Sequence, residues 1–512
     1  MNQMQKTLIS RRAVLAGTAS TALAPLHTQS ATASTPKRGG RLRLGIAGGS
    51  STDTLDPGRL IDAVGSIVSF QARNTLVELL PTLRPAPELA VSWESSPDAR
   101  VWTFELRKGV EFHNGKSFEA EDVIFTINHH RAPNNKSGAA GFVKPIQDVK
   151  ADGKSRVIFT LHGPNADFPL IMSVYRLPIM PDGTTDFSTA IGTGAYVLQS
   201  FQPGVKAFAV KNKNYWRSDR GFVDEVETVV INNTSARTNA LLSGSVDVVN
   251  RLDPRTVDLL KNNSAITVRN DPGFKYFTMP MLTDVAPYDN NDVRLALKWG
   301  IDREQIVEKI LFGLGRVGND HPITPDHRYF NTELPQRKYD PDRARFHLKK
   351  AGATDHVFEL HASEASFEGA VDAAVLYQDI AAKAGIKNKI NRQPVDGYFT
   401  NVWRKVPFCT SYSSSRATED AVFSLNQSSN EARWTNERWA KLLVAARGEL
   451  DTKKRQDMYF EMQKLMSEDG GMMVPLWINN VSASSRRVKA PERVSIANEM
   501  DAYRVAERWW IE

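Results

Sequence analysis

The sequence predicts an α/β protein of two or three lobes, and three observations carry that expectation. A chain of 512 residues exceeds the size at which a single hydrophobic core stops growing. Segments with a two-residue apolar period alternate along it with segments of helical spacing. Its 41% hydrophobic and 24% charged residues are those of an ordinary water-soluble globular protein. No tandem repeat or low-complexity tract appears.

The first 33 residues read as a leader. Ser10-Arg11-Arg12-Ala13-Val14-Leu15 opens a short apolar run to Leu26 that Pro25 breaks, and Ala31-Thr32-Ala33 has the small-x-small pattern a signal peptidase cuts. The segment resembles a twin-arginine export signal, with Val14 where the motif usually has Phe. It is too short and interrupted to span a bilayer, so no stable membrane insertion is expected. No cysteine follows the cleavage point, and the mature chain is expected free in the periplasm. Losing Lys6, Arg11 and Arg12 lowers the formal charge from +7 to +4. With no basic stripe, nucleic acid is not an expected partner. Cys409 is the only cysteine, which excludes an internal disulfide; beside Phe408 it reads as a packed residue.

A strand is expected over Leu42 to Ala47, followed by a loop from Gly48 to Pro57 and helical spacing over Ala63 to Leu80. Val101 to Leu106 alternates, so Trp102, Phe104 and Leu106 share one sheet face. Gly109 and Asn114-Gly115 mark turns. Ser117 then reads as the cap of a helix whose first turn holds Glu119, Glu121 and Asp122. Further on, Ser235 reads as the cap of a helix over Ala236 to Ser243, before a strand from Val246 to Val249. Strands are expected at Tyr276 to Met281, Phe358 to His361, Lys387 to Arg392 and Met473 to Ile478, and near Val488 and Ala506. Between them lie helices capped by Asp302 and Asp340 and long ones near Glu437 to Gly448 and Lys453 to Glu468.

Four blocks resemble family 5 of the extracellular solute-binding proteins, the peptide, nickel and opine receptors that feed ATP-binding-cassette importers. They are Glu88 to Asp122, Ile191 to Val226 (where Ala195 replaces the proline of Gly-Thr-Gly-Pro-Tyr), Asp292 to Arg303, and Tyr339 to Gly352. The resemblance implies a two-lobed periplasmic binding protein fold of the large type II class with an inserted third subdomain. It places a discontinuous first lobe at residues 40–80, 191–272 and 480–512, the insert at 81–190, and the second lobe at 273–479. The crossings near Asp271 to Lys275 and Asn479 to Ser485 would then be hinges. It also implies a monomer that needs no cofactor, performs no catalysis, and delivers a peptide-like or opine-like solute to an inner-membrane permease. Metal-chelate and sugar receptors belong to the same family, and an exported hydrolase on a similar scaffold is the alternative of another class.

Local motifs for catalysis are weak. Gly313-Leu-Gly315-Arg-Val-Gly318 has dinucleotide-type spacing but follows a helix and precedes Pro322, so it reads as a loop at the cleft edge. His129 and His130 are adjacent on a helix and diverge, as a surface or capping pair would. The informative stretch is Val406 to Asp420, an apolar strand end opening through three serines into a loop. Dipeptide-binding relatives carry there an aspartate that pairs with the ligand ammonium group, and counting back from Phe423-Ser424 places it at Ser415 or Arg416. A cation replaces the acid, so Arg416 is expected to receive an anionic group, assisted by Ser413 and Ser414. Asp420 would hold that guanidinium or meet a ligand amine. Tyr412, Trp403, Arg404 and Trp434 are candidate cleft walls, and Ser51 and Thr52, after the first strand, are further candidate ligand contacts.

Overall fold

The computed structural model describes residues 35–132 and 135–512. The expected leader lies outside them. One mixed sheet of nine strands runs through the molecule. Its central strand, Arg41–Ile46, lies parallel to Glu225–Val230 on one side and to Val248–Val249 on the other. Leu42, Leu44 and Ile46 are fully buried, as the alternation requires. Lys206–Lys211 and Tyr196–Gln202 extend one flank antiparallel. On the other flank come Met472–Ser485, Ile266–Pro280 and, at the edge, Ser411–Ser414.

The two long strands run from one hydrophobic cluster to another. Ile266 and Val481 pack with Leu241, Val246 and Val249 on one side of the crossing. Phe277, Met279, Met473 and Leu476 pack with Leu297, Phe358 and Tyr377 on the other. Their pairing shifts register between Asp271, opposite Asn480, and Lys275, opposite Ile478. Pro272 offers no N–H to the ladder. A Cβ on Gly273 would stand 2.3 Å from the Ile478 carbonyl oxygen, so only glycine lets the strands come this close. Thus the two segments expected as crossings lie opposite each other at one break in one ladder, and the strands run well past the short segments that the alternation marks.

A second sheet, antiparallel, takes Ala90–Ser95, Val101–Leu106, Arg156–Leu161 and Ile146–Ala151 in that order. Trp102, Phe104 and Leu106 bury one face. Phe104, Phe159 and Phe168 form an edge-to-face triad with centroids 5.1–6.1 Å apart.

Several local expectations are corrected. The helix Ala120–Arg131 is capped by Glu119, not Ser117, because Asp122 bonds back to the Glu119 amide in a capping box. Asn233, not Ser235, caps Thr234–Leu242. The helix from Ala63 stops at Ala72, and Val77–Leu79 is a strand. Gly315–Val317 is a strand on Met472–Ser485 instead of a loop; a Cβ on Gly318 would strike the Val474 carbonyl oxygen at 2.0 Å. His130 is buried against the Ser137 hydroxyl, 2.8 Å away, and so is not a surface residue, while His129, half-buried, meets Asp56 at 3.0 Å. Near Ala506 the chain forms the short helix Val505–Arg508, with the strand at Trp510–Ile511. Among the described residues no helix is long and apolar enough to cross a membrane.

Candidate functional site

A cavity of about 2250 Å³ lies where the first lobe, the four-stranded subdomain and the second lobe meet. The loop after Arg41–Ile46, Tyr175 and Arg176, the Ser414 to Ala421 stretch and the Ile496 to Arg504 stretch all line it. Phe70, Phe274, Leu314 and Phe367 supply apolar wall.

Arg416 lines this cavity, with Ser414, Thr52 and Asp420. Its Nη1 donates to the carbonyl oxygens of Ser414 and Ser415, 2.9 and 3.0 Å away. No carboxylate pairs with it among the described residues, and burial, then the like charge of Arg176, lowers its pKa. The expected partnership with Asp420 is corrected: Asp420 accepts from Arg447 Nε at 2.9 Å, and Glu419 from the Tyr329 amide. Ser51 is exposed beside the lining residues Ser50 and Thr52. Neither Tyr412 nor Ser413 is in the lining, which takes up only the end of the strand from Ser414 onward. The Tyr412 ring instead carries Lys275 Nζ 4.5 Å from its centroid.

Trp403, Arg404 and Trp434 lie off the cavity, and the expected cleft role gives way to packing within the second lobe. Trp403 Nε1 donates to Glu431 at 3.0 Å, and the Arg404 guanidinium sits over the Trp403 ring. Trp434 Nε1 donates to Asp469 at 2.9 Å and lines a separate 370 Å³ pocket.

The cavity also has walls that local sequence does not announce. Arg251 donates to Glu499 at 2.6 Å and also pairs with Asp62. Met500, Asp501, Ala502 and Tyr503 form a left-handed turn with φ between 53° and 66°. Such backbone costs on the order of 1–2 kcal/mol per residue, so surrounding structure must impose it. Asp501 does so by accepting from the Ser495 amide at 2.7 Å and from Arg508 at 2.8 Å. The turn presents Tyr503 to Tyr175, with centroids 5.4 Å apart. The charges around the cavity are unevenly matched. Every carboxylate in its lining except Asp53 has a cationic partner within 4.0 Å. Arg176, Arg237, Lys275 and Arg416 have no carboxylate partner among the described residues, Arg237 being spent on backbone carbonyl oxygens.

The model of the bacterial extracellular solute-binding proteins, family 5 Middle, matches residues 84–435. The chain belongs to that family. Di/tripeptide-binding protein 1 of Pseudomonas aeruginosa is 25% identical over 75% of the chain and 78% of its own length. The dipeptide-binding protein of Escherichia coli K12 is 25% identical over 78% and 82%. Among solved structures, the periplasmic binding protein DppA from Helicobacter pylori in complex with peptide STSA superposes with a TM-score of 0.74, at 23% identity, over 93% of this chain and 99% of its own. These likenesses show a two-lobed binding protein, whose work is capture and not covalent chemistry.

One buried acid of this solute-binding protein sets a pH response. Glu419 is 3% exposed at the start of helix Glu419–Ser429, next to the cavity stretch. Burial, then the negative charge of Asp167, pushes its pKa up from 4.5 to about 7, against the Tyr329 amide and Arg455. Between these values the folded protein holds a proton that the unfolded chain has released, so stability falls as pH rises through the window. Glu419→Gln removes this contribution. The stability of Glu419→Gln relative to the parent is expected to rise by about 3 kcal/mol between pH 4.5 and pH 7.5. Denaturant titrations at both pH values measure it, and a constant difference contradicts the assignment.

Proposed function

We propose that the protein captures a peptide-type solute bearing an acidic group in the cleft between its lobes and delivers it to an inner-membrane ATP-binding-cassette permease. The observation that carries this reading is the charge pattern of the cavity: all its carboxylates but Asp53 are already paired, whereas Arg176, Lys275 and Arg416 are not. A solute carboxylate or other oxyanion is the group those cations lack, and a charge-assisted pair in a partly desolvated cleft is a strong one. A ligand ammonium group facing Arg416 would meet like charge.

Size agrees with a peptide-type solute. About 2250 Å³ exceeds the roughly 300–1,000 Å³ of an ordinary small-molecule pocket and has room for several residues. The ligands of the relatives support the class: di- and tripeptides, dipeptides and the peptide STSA. Ser414 and Thr52 would add hydroxyl donors, and Tyr175 and Tyr503 an aromatic wall. The twin-arginine leader read in residues 1–33 would export the chain to the periplasm, where a permease meets it.

Native mass spectrometry of the purified protein, followed by denaturing release, tests the reading. The expected result is an unaltered peptide-type compound carrying at least one acidic group. A purely cationic or neutral compound removes the proposal, as does a solute converted to new products.

A further inference from the structure

Arg176 and Arg416 are two guanidiniums from different parts of the fold that reach one cavity without a counter-charge. Arg176 donates through Nε at 3.0 Å and Nη2 at 2.7 Å to the Leu60 carbonyl oxygen and stacks over the Tyr175 ring, 4.9 Å from its centroid. Arg416, on the loop after the edge strand of the second lobe, is held by the carbonyls of Ser414 and Ser415. Carbonyl acceptors fix where each charge sits and leave its net charge in place. The two groups share one electrostatic neighbourhood: Arg176 depresses the Arg416 pKa, and the positive charge of each works against the burial that raises the Tyr175 pKa. Asp420, the nearby acid on the Arg416 side, is taken by Arg447.

Like charges lining one cavity oppose each other when nothing compensates them. A carboxylate has two oxygens, and each can accept from a guanidinium fork. We infer that Arg176 and Arg416 form a two-sided anion clamp, in which a solute oxyanion bridges the walls and closure of an empty cleft is opposed by the two uncompensated cations. Arg176 is thereby a specificity-determining residue. The clamp lets the acidic group decide whether the lobes come together, so the closed shape reports a loaded cleft. This inference rests on the anionic-solute reading above.

Small-angle scattering of solute-free protein, from about 0.01 M to about 1 M salt, tests the clamp without requiring the solute. Over that range the screening length falls from about 30 Å to about 3 Å. The parent is expected to contract as salt rises, because screening weakens the repulsion. Arg176→Gln should lose most of that salt response. Arg176→Glu should reverse it, being compact at low salt and expanding as salt breaks the new attraction to Arg416. If Arg176→Glu does not fold, Arg416→Glu makes the same reversal from the other wall. A parent whose dimensions ignore salt, or a charge reversal indistinguishable from the parent, overturns the clamp. Native mass spectrometry of Arg416→Gln separates the two readings. Lost capture with no scattering reversal leaves the anion site and removes the clamp, whereas undiminished capture removes both.

Discussion

Replacing Arg416 by glutamine is expected to weaken capture of the natural solute by roughly 30- to 5,000-fold, the range for truncating one partner of a buried, hydrogen-bonded charge pair at about 2–5 kcal/mol. Without solute, Arg416 is a half-buried cation bonded only to two carbonyl oxygens, and its pKa is lowered chiefly by burial. Its removal should therefore leave the thermal midpoint of the solute-free protein unchanged or raise it slightly. That pairing of weak binding with intact stability distinguishes a ligand contact from a structural arginine such as Arg504, whose loss would strand buried Glu88 and Glu507. Arg416→Lys should recover only part of the affinity, because an ammonium cannot present two parallel donors. Calorimetric titration with the solute released from the purified protein decides this, and an unchanged dissociation constant for Arg416→Gln dismisses the role.

The parts legible in the sequence are those whose signals are local. Alternation fixed the buried face of Val101–Leu106, and the caps at Asp302 and Asp340 were where their side chains suggested. The loop carrying Arg416 could be placed because it joins a strand end to a capped helix within one short stretch. Long-range pairing was not legible. The break at Pro272-Gly273 matters only because residues some two hundred positions later lie against it. Arg176, Arg251 and Tyr503 reach the cavity from three distant segments, and none stands in a pattern that singles it out. The left-handed turn at Met500 to Tyr503 contains no glycine or asparagine to signal it; Ser495 and Arg508 impose it through Asp501. Tryptophans misled for the converse reason: an aromatic near a cleft loop in sequence can equally pack inside its own lobe, as Trp403 and Trp434 do.

Asp167→Ala is expected to have the largest effect on stability. The Asp167 carboxylate accepts two bonds from Arg455, at 2.7 Å from Nη1 and 2.6 Å from Nη2, with side chains 9% and 3% exposed. This pair ties the segment that follows the four-stranded sheet to helix Thr452–Glu468 of the second lobe, and the Ala166 amide adds a 2.8 Å bond to the Arg447 carbonyl oxygen. Truncating the acid leaves a guanidinium buried among Tyr329, Tyr459 and the Ala446 carbonyl oxygen. A buried charge stripped of its partner costs about 3–5 kcal/mol, so the melting transition should fall markedly. Asp167→Ala with Arg455→Met should be milder than Asp167→Ala alone, because the pair's own desolvation cost disappears with it and methionine keeps apolar contact with the tyrosines. The same double-mutant cycle reports on Glu419: Asp167 raises its pKa and Arg455 lowers it, so removing only Asp167 should move the pH-dependent loss of stability to lower pH. A double variant no more stable than Asp167→Ala, together with an unmoved pH window, would show that this segment and helix Thr452–Glu468 are joined by packing and not by charge.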